Sequence, residues 1–306
     1  MARLVIAIGG NAITRPAMSM RGGTKFKGLD ITAAGIVNLY NKGNEIIVTH
    51  GNGPQVGSEL ERNEMAGKKI PELPLYLLTA ETQSVIGSSI AMRVMNLSRS
   101  GNQAVCTVLT HVLVDKNDPG FKKPAKPIGP FMDRRSVLSA SEKSGLGYMR
   151  FEKGFRLVVP SPAPKSIMEI SCITSLAKQG IVVACGGGGI PIINGRKGYR
   201  GVGAVVDKDL CSSLLAVKTD ADALIILTDA EYVYTDYPNR SGRIKTVNAH
   251  VLERSIGRFE AGTMRPKIKA CVDFVKATKK PAYIGSILKL DEILNGMSGT
   301  KITAMD

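Results

Sequence analysis

At 306 residues the chain is long enough to enclose a large core, as one big α/β domain or as two lobes. Hydrophobic residues make up an ordinary 43%, aromatics only 5% with no Trp, and no apolar run approaches the length of a transmembrane helix, so no membrane partner is expected. The formal charge of +15 permits nucleic-acid binding, but there is no recognisable nucleic-acid module, no basic stripe interleaved with aromatics and no unbroken basic tail; the charge points instead to a basic surface around a site for small anions.

Residues 4–8 (LVIAI) read as a strand that runs straight into Gly9-Gly10-Asn11. The run is too short for a signal-peptide core, and the glycines end it. Ligands of open α/β sheets lie outside the carboxyl ends of strands, so this exit is a first candidate for close backbone approach. Residues 19–27 are polar and basic and read as a loop, and 31–41 as a helix ended by Gly43. The arrangement repeats at 45–49, a strand leading into His50-Gly51-Asn52-Gly53-Pro54. Residues 80–97 predict a long helix with apolar and small residues on more than one face, as in a deeply buried helix or one at a subunit contact. Residues 105–109 predict a further strand.

Residues 116–130 (KNDPGFKKPAKPIGP) alternate Pro and Lys, so no helix passes through them. They suit either a solvated linker or a rigid projecting loop that brings Lys122, Lys123 or Lys126 over an anionic site. Residues 158–164 (VVPSPAP) read as a strand leaving through prolines, a hinge between lobes, and 167–178 as a helix. At 181–185 (IVVAC) a buried parallel strand empties into four glycines, 186–189, among them Gly187 and Gly188. Such a run lets backbone N–H groups approach an anion closely. After a polar, Gly-rich excursion, Asp207 suits the N-cap of a helix that opens with Lys208 and Asp209. A cation is unfavourable at the positive end of a helix dipole, so Lys208 is either a solvated lysine or held there by an anion shared with the glycine loop. Residues 223–227 read as a strand ending in Thr228-Asp229, and Tyr232, Tyr234 and Tyr237 beyond it suit a purine pocket or plain packing. Gly262-Thr263-Met264-Arg265-Pro266-Lys267 opens the last large helix, and Lys267 is a second cation at a helix start. A phosphate between the two lysines would turn both dipole and charge to use.

The alternation of β and α segments predicts a doubly wound α/β sandwich with two lobes split near 160–164. Five scattered cysteines (Cys106, Cys172, Cys185, Cys211, Cys271) form no CxxC and read as small buried residues of a reducing cytosol, so a cytoplasmic location is expected. His50, His111 and His250 lack metal-ligand spacing. No GxxxxGK[ST] or GxSxG occurs, and Pro191 stands where a dinucleotide fingerprint needs a small residue.

Assembled, these segments resemble the carbamate kinases, within the amino acid kinase family. The resemblance rests on AIGGNAI (7–13), VTHGNGPQVG (48–57), KPIGPF (126–131), VVPSPAPK (158–165), CGGGGIPI (185–192), VVDKDL (205–210), ILTDAEYVY (226–234) and AGTMRPKI (261–268), in family order over nearly the whole chain. It implies a three-layer αβα sandwich with a mainly parallel central sheet and a small protruding subdomain at about 116–150. The lobe at about 1–160 would take the acceptor and that at about 161–306 the nucleotide. It implies reversible phosphoryl transfer between ATP and carbamate, with Mg²⁺, in a homodimer. Lys208 and Lys267 match the lysines that stabilise the transferred group, Asp209 the aspartate that orients them, and Lys126 the lysine reaching in from the protruding loop. Gly9, Gly10, Asn11, Gly51, Asn52 and Gly53 match the turns around acceptor and phosphates, joined by Gly187 and Gly188. Asp229, Tyr234, Gly262, Met264 and Lys267 fall to the nucleotide. Arg258, Arg265 and residues 19–27 depart from the family pattern. Carbamate is already an anion, which accounts for a site of lysines, glycine amides and Asn without a catalytic His. The alternatives are a family member acting on another small carboxylate or phosphonate, and a non-catalytic nucleotide sensor or nucleic-acid binder.

Overall fold

The computed structural model describes residues 1–9, 27–67, 69–98, 104–137, 147–237, 239–260 and 262–304. The chain begins with β1 (Arg3–Ile8), α1 (Lys27–Asn41), β2 (Glu45–His50), α2 (Gly53–Ala66), α3 (Leu75–Leu97), β3 (Val105–Thr107) and β4 (His111–Val114). Three strands follow, β5 (Lys126–Met132), β6 (Gly147–Phe151) and β7 (Gly154–Val159), then β8 (Pro164–Ile167), α4 (Ile170–Ala177), β9 (Ile181–Val183), β10 (Ile190–Gly195) and β11 (Gly198–Gly201). The rest comprises α5 (Lys208–Lys218), β12 (Ala223–Thr228), β13 (Val233–Asp236), β14 (Ser241–Ile244), β15 (Thr246–Asn248), α6 (Ala249–Arg254), α7 (Met264–Thr278), β16 (Ala282–Ser286), α8 (Leu290–Leu294) and β17 (Thr300–Thr303).

Among the described residues the central sheet has eight strands in the order β15-β17-β16-β12-β1-β2-β9-β3, all neighbours parallel except β16 and β17. Its strands are apolar on both faces because helices cover both. Successive side chains alternate between two cores, as the period of a strand requires. Val5 and Ala7, with Ile47, Val182, Leu224 and Ile226, face the core shared with Cys211 and Leu215 of α5 and Ile268 and Phe274 of α7. Leu4, Ile6 and Ile8, with Ile46, Val48, Ile225 and Leu227, face Leu29 and Ile36 of α1, Ile86 and Ile90 of α3, and Ile293 of α8. The result is the expected three-layer αβα sandwich. A second sheet, β11-β10-β4-β8, and the hairpin β13-β14 flank it.

The stretch 116–130 is neither linker nor simple loop. It holds a short 3₁₀ turn at Pro119–Phe121 and then β5, which pairs with β7 in a three-stranded antiparallel sheet, β5-β7-β6. Strand β5 lies at the edge, where Pro127 and Pro130 forfeit no central ladder bond, and its register shifts between Ile128 and Met132. This arm is rooted firmly. Val56, Leu78, Ile128, Val159 and Val205 form a small core of their own. There Gly57 of α2 meets Gly129 backbone to backbone, and a Cβ on Gly57 would fall 2.0 Å from Gly129 N. Other boundaries shift. The helix expected at 80–97 starts at Leu75, the strand at 105–109 stops at Thr107, and 167–178 begins as the end of β8 and becomes helical only at Ile170. The loop expected at 19–27 lies outside the described residues up to residue 26, and Lys27 opens α1.

Candidate active site

Four parallel strands deliver their carboxyl ends to one edge of the sheet. Ile8 is level with His50 on one side and Leu227 on the other, so Gly9, Gly51 and Thr228 emerge together. Backbone bonds hold the exits: Gly9 N–H donates to Leu227 O at 3.1 Å and Gly51 N–H to Ile8 O at 3.0 Å. Beside them β9 leads on through Ala184 to Cys185 (φ 52°) and a glycine turn with φ of 64°, 87° and 86° at Gly187, Gly188 and Gly189. The left-handed conformation is one reason for glycine here; crowding is the other. A Cβ on Gly187 would lie 2.3 Å from Asn52 Nδ2, and one on Gly188 would lie 2.2 Å from Val206 O. Asn52 is itself fixed, its Nδ2 donating to Thr82 Oγ1 of α3 at 2.9 Å.

The charges converge on this edge. Asp207 caps α5, its Oδ1 accepting from the N–H of Asp209 (2.9 Å) and Leu210 (3.3 Å). Its Oδ2 accepts from Lys126 Nζ of the arm at 2.5 Å. Asp209 accepts from Lys208 Nζ at Oδ1 (2.6 Å) and from Lys267 Nζ at Oδ2 (2.9 Å). The anion that holds two cations against two helix dipoles is therefore this one carboxylate. Burial opposes the charge on Asp209, but Lys208 and Lys267 outweigh it and keep the carboxyl well below the usual range. Burial, with help from the Lys267 charge, pulls Lys208 below the ordinary lysine value against the attraction of Asp209. Burial also opposes the charge of Lys267, yet there Asp209 wins and the lysine is raised. The two lysines thus differ although they share one partner.

One cleft is lined by Gly9, Gly51, Asn52, Gly53, Lys126, Gly187, Asp207, Lys208, Asp209, Asp229, Gly262 and Lys267, together with Thr228, Thr263 and Arg156. Of the residues singled out in the sequence, Gly188 supports the turn from behind, and Met264 packs against the core beneath α7. Tyr234 sits between Tyr232, which it meets edge-on, and the tilted ring of Tyr237, and neither it nor Met264 lines this cleft. Gly10 and Asn11 lie outside the described residues.

Two charged members were not foreseen. Asp207 was read only as a cap, yet it also receives Lys126. Arg156, on β7, carries the larger surprise. Its Nε donates to Gly129 O at 2.9 Å and its guanidinium lies 5.5 Å from the Phe131 ring centroid, while its buried Nη2 has no partner among the described residues. A planar cation with a dry, unsatisfied N–H at a cleft wall is suited to a planar oxyanion. The single charge in the otherwise apolar alternation of 155–159 was the available signal. His50, fully buried behind Gly51, is pushed down to about 4 by burial, so it is neutral near pH 7; its Nδ1 donates to Gly51 O at 3.1 Å.

The fold and this edge define a phosphotransferase frame, and comparison with known proteins agrees. Residues 2–286 match the amino acid kinase family, and the chain belongs to that family. Its relatives include the carbamate kinases of Trichomonas vaginalis, 37% identical with 98% of this chain and 99% of the relative covered, and of Haemophilus influenzae, 38% identical with 98% and 96% covered. Among solved structures, the carbamate kinase from Giardia lamblia bound to citric acid superposes with a TM-score of 0.90 at 32% identity, and the same enzyme bound to AMP-PNP with 0.84 at 32%; 99% of both chains is covered in each case.

Proposed function

We propose that the protein is a carbamate kinase, transferring a phosphoryl group reversibly between ATP and carbamate, with ADP and carbamoyl phosphate as the other pair. The observation that carries the reading is the pair of buried lysines tied by Asp209 at the meeting point of the glycine turns. Phosphoryl transfer asks for positioning and charge neutralisation more than for covalent chemistry. In this reading Lys208 and Lys267 take up charge on the oxygens of the group in flight, and Asp209 holds both where they are needed. The amides of the turns at Gly9, at Gly51 to Gly53 and at Gly187 cradle the anions. Lys126 exchanges Asp207 for the acceptor end, and the open N–H of Arg156 receives the planar carbamate or carbamoyl group. The carbamate oxygen needs no base. Asp229, Gly262 and Lys267 line the nucleotide end, with the lobe at about 161–306; the lobe at about 1–160 and its arm serve the acceptor.

Magnesium fits as a companion of the nucleotide. It binds through phosphates and one or two carboxylates. Asp229 lines the cleft with no hydrogen bond or ion pair among the described residues, whereas Asp207 and Asp209 are committed to lysines. The ion would supply neutralisation of phosphate charge. The reading extends to a cytoplasmic enzyme, supported by five free cysteines. Among the described residues no helix is long and apolar enough to cross a membrane.

The test is a coupled assay of ATP formed from ADP and carbamoyl phosphate, with acetyl phosphate and a metal-free reaction as controls. Activity that needs Mg²⁺ and prefers carbamoyl phosphate is expected. Pure protein that binds ADP but makes no ATP above the controls would overturn the assignment.

A further inference from the structure

Near its tip, away from the core at its root, the arm comes up against the nucleotide side. Phe151 ends β6 near the tip of the arm, and its ring edge faces Gly262, where a Cβ would lie 3.6 Å from Cε1 and 3.9 Å from Cζ. Gly262 lines the same cleft as Lys126. Both sides of the contact are stiff. On the arm, Phe151 packs edge-on against Phe131 at 6.0 Å between centroids, and Arg156 lies over Phe131. On the other side, Arg265 folds back over the segment before α7, its Nε donating to Phe259 O and its Nη2 to Gly257 O, each at 3.0 Å. The Arg265 N–H donates to Glu260 O at 3.0 Å, and Thr263 Oγ1 donates to Glu260 Oε2 at 2.5 Å. Lys267 follows two residues later. A run of fixed groups therefore leads from Arg156 on the acceptor wall to Lys267, and the Phe151–Gly262 contact is its join.

We propose that Phe151 is a positioning residue that couples the two substrates. An acceptor held by Lys126 and Arg156 steadies the arm, and through the ring beside Gly262 it steadies the loop that meets the nucleotide, so each ligand binds more tightly when the other is present. The inference rests on the acceptor and nucleotide assignments made above. Such coupling is reciprocal: whatever factor the acceptor adds to nucleotide affinity, the nucleotide adds to acceptor affinity. A ring that merely completes the packing of the arm would affect stability without linking the ligands. Arg265, which the resemblance left as a departure, gains a role here, because a slack loop could not pass the contact on to α7.

Calorimetric titration of ADP with Mg²⁺, in the absence and presence of phosphonoacetamide, the unreactive methylene analogue of carbamoyl phosphate, measures the coupling. The unaltered protein is expected to bind ADP about fivefold or more tightly with the analogue present. In Phe151→Ala the factor should fall to near one while each ligand alone still binds. Phe151→Leu, which keeps an apolar contact, should retain most of it. Equal coupling in Phe151→Ala, independent binding in the unaltered protein, or a loss in Phe151→Leu as complete as in Phe151→Ala would overturn the proposal. No binding of the analogue at all would overturn the carbamate kinase reading, and this inference with it.

Discussion

The Asp209 carboxylate takes no part in capping α5, which falls to Asp207. It is spent entirely on Lys208 and Lys267, and under the proposed function removing either lysine would change the charge that meets the transferred group. Lys208→Ala and Lys267→Ala are each expected to lower kcat by on the order of 10²–10³, the usual cost of one donor to a developing charge. The measurement is steady-state ATP formation on protein whose fold is checked by circular dichroism. Near-normal kcat in both variants would mean that the lysines serve only the helix starts. These residues were legible because each stood against a helix dipole, a local conflict that asks for an anion. The spacing alone did not identify that anion within the protein; only the family resemblance pointed to Asp209, and nothing pointed to Asp207 as the partner of Lys126. Lys267 is 58 residues from Asp209 and Lys126 is 81 from Asp207, and no local periodicity reports a pairing so distant. Arg156 escaped for a related reason. Its meaning lies in the N–H left open after Gly129 and Phe131 take the rest of the guanidinium, and that is a property of packing.

At the scale of the element, the arm shows where composition misleads. The prolines excluded a helix and left a linker or a projecting loop, yet an edge strand accommodates both Pro127 and Pro130. Its root is anchored in a core of its own and against α2 through Gly57, so Lys126 is presented by a rigid strand rather than a floppy tether. Lys126→Ala is expected to cut turnover with carbamoyl phosphate by on the order of 10² and to leave ADP affinity nearly unchanged. Lys122 and Lys123, exposed beside the 3₁₀ turn, should give much milder effects when changed to Ala. Equal losses for all three would mean general attraction of anions by a basic surface. No loss for any would remove the arm from catalysis. Strands β1, β2 and β12 were legible almost to the residue, because apolar runs that stop at Gly or Asp have few other readings, whereas β15, β16 and β17 at the other end of the sheet were not read as strands at all. The hairpin β10–β11 was seen only as a polar excursion, since its exposed outer strand carries no apolar alternation to betray it.

For the whole molecule, βα alternation sufficed to foresee the layers, whereas strand order and the second sheet depend on contacts far apart in sequence. The homodimer that the resemblance implies can be tested on α3. One face of it is buried beneath the core, and another exposes Leu77, Val85, Met92 and Met95, positions that helical spacing brings to one side. The homodimer implied by the family resemblance would bury this stripe. Light scattering at micromolar concentration is expected to report a dimer that Val85→Glu or Met92→Glu shifts toward monomer. A monomer in the unaltered protein would dissociate the stripe from self-association.

The position of β1 in the middle of the sheet has a consequence for biosynthesis. One flank of residues 3–8 finds its partner within the next fifty residues, in β2, but the other waits for β12 at 223–228. At a ribosomal rate of 5–20 residues per second, that wait is roughly 10–40 s. Throughout it the nascent chain carries an unpaired strand edge flanked by Leu4, Val5, Ile6 and Ile8, all buried in the finished protein. Shielding of that edge during translation, by the emerging helices α1 and α3 or by a chaperone, is therefore as much a condition of obtaining active enzyme as any residue in the cleft.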